Sequence, residues 1–194
     1  MTELETAVAA LRAGKLAVIP TDTVYGIAAL PEIRDAVEAI FAAKGRPPDK
    51  PLPVLGTDKT SLRHVARIGW GAEKLIDHYW PGPLTLVLER ATGFDHFLGG
   101  DDKSVAVRVP ESDVARSLLA KTGPLAVTSA NRSGAAPATT VAEAQQIFGS
   151  VVEVYVDGGA ASGEPSTVVS LLGEPDVLRE AAISAKDIMK VLVW

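Results

Sequence analysis

Apolar residues recur along this chain with two periods, a helical one near 3.6 and a strand-like one near 2, and the switches between them mark out the elements. Leu4, Val8 and Leu11 repeat at helical spacing behind Thr2 and Glu5, a capping-box pair, and Gly14 follows as a terminating residue. The pattern predicts a helix from Thr2 to Gly14. The unbroken run Leu16-Ala17-Val18-Ile19, ended by Pro20, predicts a strand covered on both faces. A second helix is expected from Pro31, with Ile33, Val37, Ile40 and Phe41 on one stripe and Gly45-Arg46-Pro47-Pro48 as its stop. Lys44 falls on that apolar stripe, so its side chain should leave the last turn toward the buried side or a pocket edge.

Further along, strands are expected at Leu52–Leu55 and Leu84–Glu89. Between them a helix over Gly71–Trp80 ends at Pro81-Gly82-Pro83. Thr92–Lys103 reads as loop. Ser104–Val109 alternates strictly, placing Val105, Val107 and Val109 on one face and Ser104, Ala106 and Arg108 on the other. A helix over Ser112–Thr122 leads through Gly123-Pro124 to a strand at Leu125–Ser129. Thr140 and Glu143 cap a helix that ends at Gly149. Strands near Val151–Val156, Thr167–Leu171 and Asp176–Leu178 complete the expected set. Helices alternate with strands at first and strands dominate the last third. One α/β domain over residues 1–194 follows, built on a twisted mixed sheet with helices on its faces.

Composition narrows the chemistry. The chain has 194 residues, 47% of them hydrophobic and 22% charged, enough to bury a core that offsets the entropy of ordering. No cysteine is present and only three histidines, which excludes disulfides, thiol catalysis and Cys-ligated metals and leaves little for a metal cage. The acidic start, Met1-Thr2-Glu3-Leu4-Glu5, and the absence of a long apolar run point to a cytoplasmic protein without a membrane span. A formal net charge of −5 argues against a general duplex-binding surface but leaves room for a local basic pocket.

Such a pocket is suggested by four places where an apolar element gives way to small, hydroxylic or basic residues. These are Pro20–Gly26, Lys44–Pro47, Thr128–Gly134 and Pro165–Thr167. In open α/β sheets, ligands bind beyond strand ends, where loops present donors on a rigid frame. Lys44, Arg46 and Arg108 offer cationic donors, and Ser129, Asn131, Ser166 and Thr167 neutral ones, an inventory suited to phosphate or carboxylate. Taken singly, each has a plainer reading. Thr21-Asp22-Thr23 is also a hydroxyl-capped turn, Lys44 and Arg46 are also cations at a helix C-terminus, Asn131-Arg132-Ser133 is also a polar loop, and Arg108 is also a solvated strand residue. The chain carries no P-loop, dinucleotide fingerprint, nucleophile elbow or HExxH motif, so any nucleotide must be held by other means.

Together, PTDTVYG, KGRPPDKPLPVL, WPGPLTLVL, SVAVRVP, TSANRSG and PSTVVSL followed by Leu178-Arg179 resemble the YrdC family of threonylcarbamoyl-adenylate synthases from about Leu16 to Arg179. The most specific element is Lys44-x-Arg46 combined with Ser129-x-Asn131. The resemblance implies an open α/β domain with a concave, positively charged pocket. It also implies a reaction in which L-threonine, bicarbonate or carbon dioxide, and ATP give threonylcarbamoyl-AMP and pyrophosphate. Lys44 and Arg46 would be catalytic. Arg46, Lys50, Ser104, Ser129, Asn131, Thr167 and Arg179 would bind ATP, and Thr23, Arg108 and Ser166 would hold the threonine. Magnesium would enter with ATP rather than in a protein cage. A TsaD-type transferase complex would receive the product for adenosine 37 of tRNA, with tRNA or double-stranded RNA as a further candidate partner. Leu55 stands where many relatives carry histidine, and Arg179-Glu180-Ala181 replaces a Pro-Gly continuation. A YciO-like paralogue with weak or different nucleotide activity, an RNA-binding module and a structural subunit remain as alternative readings.

Overall fold

The computed structural model describes residues 2–193. In chain order the helices are α1 Glu3–Arg12, α2 Arg34–Lys44, the short α3 Lys59–Leu62, α4 Trp70–Tyr79, α5 Asp113–Thr122, α6 Val141–Phe148 and α7 Ala185–Val193. The strands are β1 Ala17–Ile19, β2 Gly26–Ala29, β3 Val54–Leu55, β4 Leu84–Glu89, β5 Ser104–Arg108, β6 Leu125–Ser129, β7 Val154–Tyr155, β8 Thr167–Ser170 and β9 Asp176–Arg179. They form one mixed sheet in the order β7-β1-β2-β6-β3-β5-β4-β8-β9.

Local chemistry explains the helix ends. Thr2 and Glu5 form the expected capping box on α1. Gly45 takes φ 61° and releases α2, and the Arg46 amide bonds back to the Phe41 carbonyl at 3.0 Å.

The two faces of the sheet are covered unequally. One packs Val18, Ile27, Val54, Leu86, Val107 and Val169 against α2, α4, α6 and α7, the main core. On the other, Ala17, Ile19, Ala28, Leu125 and Val127 pack against Leu11 of α1 and Leu118 and Leu119 of α5. These two helices cover the β7, β1, β2 and β6 end. Where β5, β4 and β8 follow, that face carries Ala106, Arg108, Thr85 and Val168 and opens into a cleft.

Three expectations change. Gly26, read as the end of a polar wall, instead opens a strand over Gly26–Ala29, because its register with both β1 and β6 supplies ladder bonds on either side. Val151–Val156 shortens to Val154–Tyr155 behind a 3-10 turn at Gly149–Val151. Strands also dominate the last third less than expected: α7 follows β9, burying Ile188 and packing on α4. No helix among the described residues is long and apolar enough to cross a membrane.

Candidate active site

The open half of the sheet face forms a cleft of about 510 Å³. Its floor runs across neighbouring strands, from Gly26 and Ser129 through Leu55, Arg108 and Ala106 to Thr85 and Val168. Small residues at Gly26 and Ala106 leave the depth. Three guanidinium groups, from Arg46, Arg108 and Arg179, line it, and no carboxylate does among the described residues. That balance suits an anion.

At one end, Arg108 is 6% exposed and its guanidinium is held on three sides. Nε donates to Gly82 O at 3.0 Å, Nη1 to Thr23 Oγ1 at 2.8 Å and Nη2 to Asp22 Oδ1 at 2.6 Å. Two of its five N–H groups remain for a ligand. Burial lowers the Arg108 pKa and the Asp22 carboxylate opposes that shift; the group stays charged. Thr23 is fixed by Thr21, whose hydroxyl lies 3.0 Å from its own and donates to Val24 O at 2.6 Å. The hydroxyl-capped turn and the pocket wall are therefore one structure. Across the cleft, Ser166 Oγ lies 2.8 Å from Thr85 Oγ1, and the Arg179 guanidinium donates to Ser166 O and Oγ. Burial lowers the Arg179 pKa as well.

At the other end, Ser129 Oγ donates to Asn131 Oδ1 at 2.6 Å, and Asn131 Nδ2 donates to the carbonyls of Arg132 and Ala135. Lys44 stands behind this pair rather than in the cleft. It is 3% exposed, and its Nζ donates to Ser129 O, Asn131 O and Asn131 Oδ1. Desolvation, with the neighbouring Arg46 charge, lowers its pKa to about 8. The apolar stripe of α2 thus delivers Lys44 inward, and its three N–H groups match three acceptors. Arg46 does line the cleft, stapling its own loop through Lys50 O at 2.8 Å and Pro51 O at 3.1 Å. Burial lowers its pKa, which Asp49 partly opposes.

The structure brings Thr23, Arg46, Arg108, Ser129, Asn131, Ser166 and Arg179 to one cleft. Lys50 and Ser104 are not among the lining residues. Lys50 is exposed on the rim loop, and the Ser104 hydroxyl donates to Asp101. Thr167 departs furthest from its expected role as an ATP contact. It is fully buried, and its hydroxyl donates to Ile183 O at 2.7 Å while accepting from the amides of Ala181 and Ile183. It ties β8 to the turn after β9, because strand alternation turns Ser166 and Val168 to the cleft and Thr167 away from it. The sequence placed Asp22 only in a hydroxyl-capped turn, without its pairing to Arg108, and gave Thr85 no role. Thr85 carried a usable signal, since a threonine alternating with Leu84 and Leu86 marks the face opposite the main core.

The chain matches the Sua5/YciO/YrdC family model, described as telomere recombination, over residues 9–181. The chain belongs to this family. A Mycobacterium leprae member, provisionally named a threonylcarbamoyl-AMP synthase, is 43% identical over 192 residues, 97% of this chain and 87% of its own. A Pyrococcus abyssi member named threonylcarbamoyl-AMP synthase is 38% identical, with 94% of this chain matched to 55% of that one. The structure of P. abyssi Sua5 complexed with L-threonine superposes with a TM-score of 0.90 at 36% identity, covering 99% of this chain and 58% of that one. The chain therefore spans little more than half the length of these archaeal relatives. Escherichia coli YciO, another family structure, gives a TM-score of 0.88 at 25% identity, covering 95% of this chain and 92% of that chain.

Proposed function

We propose that this protein is an L-threonylcarbamoyladenylate synthase, a nucleotidyltransferase that joins L-threonine, bicarbonate or carbon dioxide, and ATP into threonylcarbamoyl-AMP with release of pyrophosphate. The observation that carries this reading is the convergence of three guanidiniums and the Ser129–Asn131 pair on one cleft, in a chain whose relatives bear that name.

The geometry suits the steps. A carboxylate from the amino acid takes the two free N–H groups of Arg108, whose orientation is fixed beforehand by Asp22, Thr23 and Gly82 O. The threonine nitrogen, once carboxylated, presents a carbamate oxygen to the α-phosphorus of ATP. The new P–O bond forms as the bond to the β-phosphate breaks, and pyrophosphate leaves with the electron pair. Negative charge grows on the phosphoryl oxygens, which fixed cations and neutral donors stabilise without reorganisation. Arg46, Arg179, Ser129 and Asn131 face that role, and Lys44 holds Ser129 and Asn131 in place from behind. With no carboxylate lining the cleft among the described residues, its donors fit phosphate oxygens, and magnesium would be carried by the nucleotide. In this reading the product passes, in the cytoplasm, to a TsaD-type transferase that modifies adenosine 37 of tRNA.

The test supplies purified protein with ATP, magnesium, L-threonine and carbon-13 bicarbonate and looks by mass spectrometry for threonylcarbamoyl-AMP carrying the label. Labelled product is expected. ATP turnover without it would favour a YciO-like nucleotide activity.

A further inference from the structure

Thr85 lies on the cleft floor between the two residues assigned to the amino acid. It follows Leu84 on β4, where Leu86 pairs with Val107 of β5, so antiparallel register sets Thr85 beside Arg108. On its other side it pairs with Val168 of β8, two residues after Ser166 and on the same strand face. It is 5% exposed, lines the cleft, and its hydroxyl has one protein partner, Ser166 Oγ at 2.8 Å.

A count of hydrogens gives this pair an unusual property. Two hydroxyls carry two hydrogens, and their mutual bond uses one. Arg179 already donates to Ser166 Oγ at 3.2 Å and fills an acceptor site there, and neither hydroxyl has a protein acceptor beyond the other, so the second hydrogen is free. That hydrogen resides on Thr85 when Ser166 donates to Thr85, and on Ser166 when the bond is reversed. The pair is therefore a donor that can change position, and it keeps free lone pairs to accept. An acceptor-only carboxylate, already held by the rigid guanidinium of Arg108, can take the free hydrogen but leaves the pair's lone pairs unused. A ligand hydroxyl, which both donates and accepts, uses both.

The geometry points to Thr85 as a specificity-determining residue that, with Ser166, reads the side-chain hydroxyl of the amino acid whose carboxylate sits on Arg108. This rests on the synthase reading above and adds to it the feature that separates threonine from apolar amino acids of the same size.

Thr85→Val keeps the branched shape and strand fit while removing the hydroxyl, and Thr85→Ser keeps the hydroxyl. Calorimetric titration of each full-length variant with L-threonine and with L-2-aminobutyrate, which lacks only the hydroxyl, separates the possibilities. Thr85→Val is expected to weaken L-threonine about five- to tenfold, the range of one neutral hydrogen bond, and L-2-aminobutyrate less than about twofold. Thr85→Ser should bind both as the parent does. Equal weakening of both ligands, or of neither, in a folded Thr85→Val protein would overturn the assignment while leaving the synthase reading standing. Failure of the parent to bind L-threonine would overturn both.

Discussion

Replacing Lys44 by methionine separates the stability of this fold from the geometry of its cleft. Methionine keeps the unbranched length and removes the ammonium. Two opposed energies follow. Burial, with the Arg46 charge, takes the lysine pKa from 10.5 to about 8, and at about 1.4 kcal/mol per unit the buried charge costs roughly 3.5 kcal/mol, which the substitution relieves. Against this, Ser129 O and Asn131 O lose their donor at about 1–3 kcal/mol each, whereas Asn131 Oδ1 retains Ser129 Oγ. The net change runs from about 1.5 kcal/mol of gain to about 2.5 kcal/mol of loss, so the protein should remain folded. Activity should not survive as well. Asn131 loses its cationic anchor, and a displacement of about 1 Å at a reacting centre lowers rates on the order of a hundredfold. Denaturant titration beside pyrophosphate release measures both quantities. Parent-like turnover in folded Lys44→Met would refute the positioning role.

The same lysine sets a pH signature with opposite signs in stability and activity. Because its pKa is lower folded than unfolded, the folded state loses the proton first as pH rises. Between about 8 and 10.5 the unfolded state binds more protons, so this group makes stability rise with pH across that window and contributes no slope below it. Activity should fall through about pH 8, since a neutral amine has two N–H groups for three acceptors. Lys44→Met should show neither limb.

Three further outcomes are expected. Asp22→Ala leaves the buried Arg108 without its counter-charge, and chemical denaturation should show a loss of about 3–5 kcal/mol, part of it recovered in Asp22→Ala/Arg108→Ala; additive losses would contradict the pairing. Arg108→Ala should weaken L-threonine more than ATP in calorimetry, and equal weakening would contradict its place at the carboxylate. Thr167→Val should lower stability by about 1–3 kcal/mol through the orphaned amides of Ala181 and Ile183 yet leave the KM for ATP unchanged, whereas a raised KM would return Thr167 to the nucleotide site.

Much of this site was legible because periodicity carries direction as well as element type. The i+11 spacing from Ile33 turned Lys44 inward, and the alternation of Ser104–Val109 placed Arg108 on the face away from the main core, as the structure finds them. The resemblance between motifs far apart in the chain then brought Thr23, Arg108 and Ser166 together, which no local pattern could do. What escaped depended on tertiary partners. β2 has little intrinsic strand preference in Gly-Ile-Ala-Ala and exists because β1 and β6 flank it. Lys44 was expected at the chemistry and lies one layer behind it, a distinction set by where the Ser129 and Asn131 carbonyls point. Thr167 was placed with its neighbour Ser166 although the strand period turns consecutive residues apart.

Pyrophosphate release from the purified protein with ATP, magnesium and bicarbonate, comparing L-threonine with no amino acid, L-serine and D-threonine, decides whether this cleft makes threonylcarbamoyl-AMP. Release is expected to require both L-threonine and bicarbonate and to fall away with D-threonine. Release indifferent to the amino acid, or none from folded protein, would contradict the synthase reading.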